Sequence, residues 1–252
     1  MVVKVRAQNS GFVGPKAYYL ALGDSLAYGY QPNFNWSNGY VQQWYSNLKT
    51  HGTTSLTNYG CPDESSATFI NGGCPYAILV HNYHAGSQLS AALSFLSKHS
   101  GKVSPVTLDI GANDVLPDIN SSTCVISTTW TNDLATLDHN LTTTILPQLK
   151  AALTVGGQLT GDLILMNYYD PYQNQCPNSV PDLQMLNAHL AADAASFGVP
   201  VDDVFSAFGG ATTPNPNICT FTWICNATYH DIHATTTGYG IIAGSFESLA
   251  GY

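Results

Sequence analysis

Three short stretches, far apart in the chain, hold residue types that could together perform acyl transfer. The first is Gly23-Asp24-Ser25-Leu26. A serine on a strand-to-helix turn can aim its hydroxyl into a crevice as a nucleophile, and its own backbone N–H can face the reacting atom. The second is Gly111-Ala112-Asn113-Asp114. Asn113 offers uncharged amide donors, suited to a developing oxyanion. The third is His230-Asp231-Ile232-His233, followed by Ala234-Thr235 and Gly238-Tyr239. His233 can serve as a general base, because imidazole changes charge near neutral pH. A fourth stretch, Asn58-Tyr59-Gly60-Cys61-Pro62-Asp63-Glu64-Ser65, is rich in turn formers and could add a backbone donor.

These stretches work together only if the fold brings them to one place. Short apolar runs at 18–22, 53–59, 105–110, 161–167 and 199–204 read as buried strands. Helical spacing is expected over 39–49, 88–99, 130–153, 181–197 and 238–249, with Pro147 kinking or splitting the third helix. Strand and helix therefore alternate, which implies an α/β domain with a parallel sheet and helices on both faces. In such sheets ligands bind beyond the carboxyl ends of the strands. Ser25, Asp63 and Asn113 each follow a predicted strand. The long loops fall at 26–38, 60–86, 170–180 and 206–232.

Composition narrows the function. Only 9% of the 252 residues are charged, against roughly 25% in an average domain, yet 44% are apolar, so the low charge does not signal disorder. The net charge is -9 and no Lys or Arg follows Lys150. That balance excludes nucleic acid and a basic patch for anionic membranes, both of which need clustered cations. No run reaches the ~18 apolar residues of a membrane span. The six cysteines include no C-x-x-C pair, so three disulfides in a secreted protein are the better reading than a zinc or redox motif. Cys61–Cys74 and Cys219–Cys225 are favoured because each would close a short Pro/Gly/Asn-rich loop, which leaves Cys124–Cys176. Residues 1–16 carry no signal-peptide core and are expected to form a flexible extension, with 17–252 as a single domain and the protein a monomer.

Taken in order, G-D-S-L near the start, G-A-N-D about 90 residues on, and His followed by x-T-x-x-G-Y near the end resemble the SGNH, or GDSL-type, serine hydrolase family over about residues 18–243. The resemblance implies a flavodoxin-like three-layer α/β/α fold with a central five-stranded parallel sheet. It implies hydrolysis of esters, including acylated lipids and acetylated sugars, without a cofactor or metal. By the same resemblance Ser25 is the nucleophile, His233 the base, and the oxyanion hole combines the Ser25 N–H, a backbone N–H of the fourth stretch and the Asn113 side chain. No G-x-S-x-G elbow occurs, which disfavours the other common serine-esterase fold.

The sequence departs from the family pattern twice. The usual acid stands three residues before the histidine, where this chain has His230; Asp231 stands two before. Residues i and i+2 of an extended segment share a face, so Asp231 can still reach His233 and is taken as the third triad member. The usual oxyanion glycine falls on Asp63, which keeps the N–H but adds a carboxylate; Asp63 is expected to cap a helix beginning at Glu64. Tyr28, Tyr30 and Trp36, just after the nucleophile, are candidates for lining the substrate pocket. Paired ligation of a metal by His230 and His233 lacks a third ligand at fixed spacing.

Overall fold

The computed structural model describes residues 11–77 and 86–252. Five parallel strands form the central sheet: β1 (Tyr18–Gly23), β2 (Ser55–Asn58), β3 (Val103–Asp109), β4 (Leu163–Met166) and β5 (Val201–Asp202). Their order is β2-β1-β3-β4-β5. Every residue of β3 and β4 is buried, which is why those strands read as continuous apolar runs rather than as alternating ones. The chain runs from β1 outward to β2 and then returns past β1 to β3. The strand order thus reverses between β1 and β3, where Leu22 pairs with Leu108 and Gly23 with Asp109. That reversal opens a crevice beyond the strand ends.

The helices are α1 (Ser25–Tyr28), α2 (Tyr40–Leu48), α3 (Ser66–Asn71), α4 (Gln88–Lys98), α5 (Ala112–Val115), α6 (Trp130–Asn140), α7 (Leu146–Ala152), α8 (Val180–Ser196), α9 (Val204–Ala207), α10 (Pro216–Phe221) and α11 (Thr236–Ala250). Helices α2 and α11 pack together on one face of the sheet. Tyr40 and Trp44 of α2 stack on Phe246 of α11, with ring centroids 5.3 and 5.0 Å apart, and all three are fully buried. On the other face α4 contacts α7, and α6 contacts α8. The fold is therefore the expected three-layer α/β/α arrangement. No helix among the described residues is long and apolar enough to cross a membrane.

The helix expected over 130–153 is interrupted. Between α6 and α7 lies a π-helical segment, Leu141–Ile145. Pro147 has no N–H and its ring crowds the carbonyl of Thr143, so the regular ladder cannot run through. Hydroxyls of Thr142 and Thr143 donate to the carbonyls of Asp138 and His139 at 2.7 and 2.6 Å. The three expected cysteine pairs all occur: Cys61–Cys74, Cys124–Cys176 and Cys219–Cys225.

Ahead of β1, the Asp162 carboxylate accepts the N–H groups of Val13 and Gly14 at 2.7 and 2.8 Å, and the Lys16 N–H donates to the Ser104 carbonyl. Residues 1–10 lie outside the described residues. Asp63 does not cap α3. Ser65 does, in a capping box with Thr68, because the helix starts two residues later than expected. Asp63 instead sits in the left-handed region at φ 61°, a conformation that glycine, asparagine and aspartate tolerate best.

Asp202, at the end of β5, is an acid held at a cost. Its Oδ1 accepts the Ser245 hydroxyl at 2.6 Å, but the buried Oδ2 has no partner among the described residues. Burial, and then the Asp203 charge, push its carboxyl up to about 7. A carboxyl raised in the folded state favours folding while protonated, so stability declines as pH climbs from the ordinary carboxylate value through about 7. Asp202→Asn should therefore raise Tm by about 5 °C at pH 8 and by clearly less at pH 5. Thermal unfolding at the two pH values checks this; an equal shift at both would remove the buried charge as its cause.

Candidate active site

The crevice between the ends of β1 and β3 collects the residues marked by the sequence. Ser25 is the first residue of α1, placed by a turn that only glycine can make at position 23. A Cβ on Gly23 would lie 2.2 Å from the Asp109 carbonyl. Gln88 clamps this turn, accepting the Gly23 N–H at 2.6 Å and donating to the Gly23 carbonyl at 3.0 Å. Asp24 caps α1 through the Leu26 N–H at 2.8 Å.

Ser25 is 8% exposed, and its Oγ lies 2.7 Å from His233 Nε2. On the far side of the ring, Nδ1 lies 2.7 Å from Asp231 Oδ1. The same oxygen accepts the His233 backbone N–H at 2.8 Å. Burial would raise the Asp231 carboxyl, but the hydrogen bonds and charge of His233 outweigh it and hold the group below its ordinary value. Asp231 thus remains ionised beside the ring. The two-residue spacing works as the extended-segment argument requires, whereas His230 is solvent-exposed on the preceding turn.

The histidine loop is itself held in place. Tyr169 donates its hydroxyl to the Ile232 carbonyl at 2.9 Å, and the Trp223 N–H donates to the His233 carbonyl at 3.0 Å. Thr235 caps α11 by accepting the Gly238 N–H. A Cβ on Gly238 would lie 2.0 Å from the Phe221 carbonyl. The Tyr239 hydroxyl reaches the Tyr30 carbonyl at 2.8 Å. The T-x-x-G-Y signature is thus a helix cap, a close backbone approach and a buried anchor.

Asn113, on α5 beyond β3, donates one amide hydrogen to the Glu64 carbonyl at 3.0 Å and lines the crevice beside Ser25. Asp63 lines it as well. Its turn is closed by the Cys61–Cys74 bridge, by the Glu64 N–H to the Cys61 carbonyl, and by the Cys61 N–H to the Gly23 carbonyl. No hydrogen-bond acceptor meets the Asp63 N–H among the described residues. Gln88 links the parts, since its amide also donates to buried Glu64 at 2.8 Å.

The sequence reading missed two features. Beneath the nucleophile lies a buried carboxyl pair, Asp24 and Asp109. Asp24 accepts the Tyr168 hydroxyl at 2.9 Å; Asp109 accepts the Tyr40 hydroxyl at 3.0 Å and the Ala27 N–H at 2.8 Å. Burial, and then the Asp24 charge, push the Asp109 carboxyl well above the usual carboxylate range, so Asp109 is held as the acid. The second feature is a largely apolar cleft of about 590 Å³, open at its mouth, whose walls include Val115, Leu116, Leu183, Leu186, Ile232 and Pro171. Of the three aromatic candidates, Tyr30 lines a neighbouring cavity with Asp63 and His233. Tyr28 packs against the Cys61–Cys74 bridge, and Trp36 stacks behind Tyr30 with its indole N–H on the Gln31 carbonyl.

Known proteins agree with this architecture. The chain resembles an acetylxylan esterase from Geobacillus stearothermophilus, with 16% identity, 95% of this chain and 96% of that one covered, and a TM-score of 0.58. It also resembles phospholipase A1 from Streptomyces albidoflavus NA297, with 18% identity, coverage of 93% and 100%, and a TM-score of 0.56. TesA matches at 17% identity, with coverage of 92% and 97% and a TM-score of 0.56. At such identities these likenesses carry the fold. Among curated proteins, none matches the chain in sequence. A family model does match residues 21–241, a span that runs from β1, through the serine turn, to the helix behind the histidine. The chain therefore belongs to the GDSL-like lipase/acylhydrolase family and is a carboxylic ester hydrolase.

Proposed function

We propose that the protein is a secreted serine esterase that works through an acyl-enzyme. The observation that carries this reading is the continuous relay Ser25 Oγ–His233 Nε2–His233 Nδ1–Asp231 Oδ1, with 2.7 Å at each hydrogen bond. Ser25 attacks the ester carbonyl while His233 takes its proton. The ester C–O bond then breaks, and His233 returns the proton to the departing alcohol. Water, activated by the same ring, releases the acid. Asp231 keeps the imidazole oriented and stabilises its charged form. The Ser25 and Asp63 N–H groups and the Asn113 amide receive the oxyanion. The apolar cleft receives an acyl chain, which favours a longer apolar acyl group over acetate. The three disulfides support secretion.

A fluorophosphonate probe should label the native protein at one residue, and peptide mapping should identify it as Ser25. Absence of labelling in folded protein would leave a non-catalytic binding protein on a hydrolase scaffold. Asn113→Ala should lower kcat by about 10²–10³-fold with little change in KM, the usual loss for one oxyanion donor. Steady-state kinetics on a p-nitrophenyl ester tests this, and a fall below about threefold would remove Asn113 from the site.

A further inference from the structure

The His233 ring divides two cavities of different chemistry. The apolar cleft lies on the Ser25 and Asn113 side. On the other side is a cavity of about 420 Å³, walled by Tyr30, Pro62, Asp63, Tyr76, Asp231 and His233. Because His233 must protonate the departing alkoxide, the alcohol half of the ester lies toward this second cavity. Its walls are two tyrosine rings, two carboxylates and no cation among the described residues. The Tyr30 ring centroid is 4.6 Å from that of His233, so one aromatic wall abuts the base directly. Burial, and then the negative potential of Asp231, Tyr76 and Asp63, raises the Tyr30 hydroxyl above its ordinary value, as expected for a ring facing these groups.

The distribution of charge over the whole molecule points the same way. Every Lys and Arg among the described residues lies at the opposite end of the sheet, near strand starts and helix ends. Lys16 precedes β1, Lys102 precedes β3, Lys49 follows α2, Lys98 ends α4, and Lys150 lies in the last turn of α7. The catalytic end carries Asp63, Asp114, Asp170 and Asp231, with Asp24 beside an Asp109 that keeps its proton. In a chain of net charge -9, such polarity directs a field that draws cations toward the crevice and repels anions.

We infer that the alcohol side of this site selects esters whose alcohol portion carries an alkylammonium charge, held between the Tyr30 and Tyr76 rings and the Asp63 carboxylate. Aromatic faces attract such cations through their quadrupoles, and an exposed carboxylate adds a direct Coulomb term. This assignment also gives Asp63 a use. Its carboxylate opposes a developing oxyanion, but a cationic leaving group beside it would offset that opposition. The inference rests on the esterase reading above.

Butyrylcholine and 3,3-dimethylbutyl butyrate have the same shape and differ by the charged nitrogen. At low salt, the kcat/KM ratio should favour butyrylcholine by about tenfold, the scale of one exposed charge contact plus one cation–ring contact. The ratio should shrink as salt approaches about 0.5 M, where the Debye length falls below the span of the cavity. Asp63→Asn, which keeps the left-handed turn accessible, should bring the ratio to within about threefold of unity, whatever happens to either rate alone. A ratio at or below one, with both esters hydrolysed, would overturn the inference, as would a preference insensitive to both salt and Asp63→Asn. Faster turnover of a butyrylated sugar than of either ester would overturn it in favour of hydroxyl recognition. Failure to hydrolyse any ester would overturn the esterase reading first, and this inference with it.

Discussion

Ser25→Ala should reduce ester turnover by about a million-fold, leaving only the residual acceleration that an oxyanion hole and binding provide. The argument is local. The Ser25 hydroxyl lies 2.7 Å from His233 Nε2 and lines the crevice together with Asn113. Removing one oxygen leaves α1 capped by Asp24 and the Gly23 turn clamped by Gln88, so the fold should be unaffected. Circular dichroism and a Tm within about 2 °C of the parent would establish that the loss is chemical. Fluorophosphonate labelling should vanish with turnover. Substantial activity in the folded variant would place the active site elsewhere.

Asp231→Asn should lower kcat by about 10- to 10⁴-fold, the upper end being the loss when a triad acid no longer holds its histidine's tautomer. Asp231 Oδ1 accepts two His233 donors at once, the ring Nδ1–H and the backbone N–H. An asparagine oxygen can accept the same bonds but supplies no charge for the imidazolium, so the expected loss exceeds that of a simple hydrogen bond. The carboxyl is held below its ordinary value, so the acid limb of the pH profile should not come from Asp231. His230→Ala should have a smaller effect, since an exposed imidazole on the preceding turn offers His233 no negative charge. Near-parental kcat for Asp231→Asn would mean that a backbone group orients His233, leaving a serine–histidine dyad.

The residues with chemical roles were legible because the chain needs special geometry around them. Gly23 is required where β1 passes under the Asp109 carbonyl, and Gly238 where α11 meets the Phe221 carbonyl. Thr235 stood out only as part of the T-x-x-G-Y pattern, and the structure shows it as the cap of α11. Counting two residues back from His233 pointed to Asp231, whose Oδ1 lies 2.7 Å from the ring Nδ1. Asp63 was read as a cap because it precedes a helical run, but Ser65 and Thr68 form the stronger local pair. Among the aromatics after the nucleophile, only Tyr30 lines a cavity beside His233, since the stacking of Trp36 behind it depends on a loop conformation that no spacing reveals.

By itself, then, the sequence determined the strand–helix alternation, the parallel sheet and which residue types, Ser25, His233 and Asn113 among them, could do chemistry. Each depends on local periodicity or turn requirements, which neighbouring residues encode. Tertiary structure alone decided the walls of the site. Leu183 and Leu186 are buried core residues of α8, and the same side chains also line the cleft beside Ser25, which their spacing alone does not reveal. The Asp24–Asp109 pair arises from a strand register that sets residues 85 positions apart side by side in a dry interior, where one carboxyl must keep its proton. The lysines among the described residues, scattered in sequence, gather at one end because strand starts and helix ends of a parallel α/β fold share that end. Burial and long-range charge are properties of the whole packed molecule, so no window of sequence contains them.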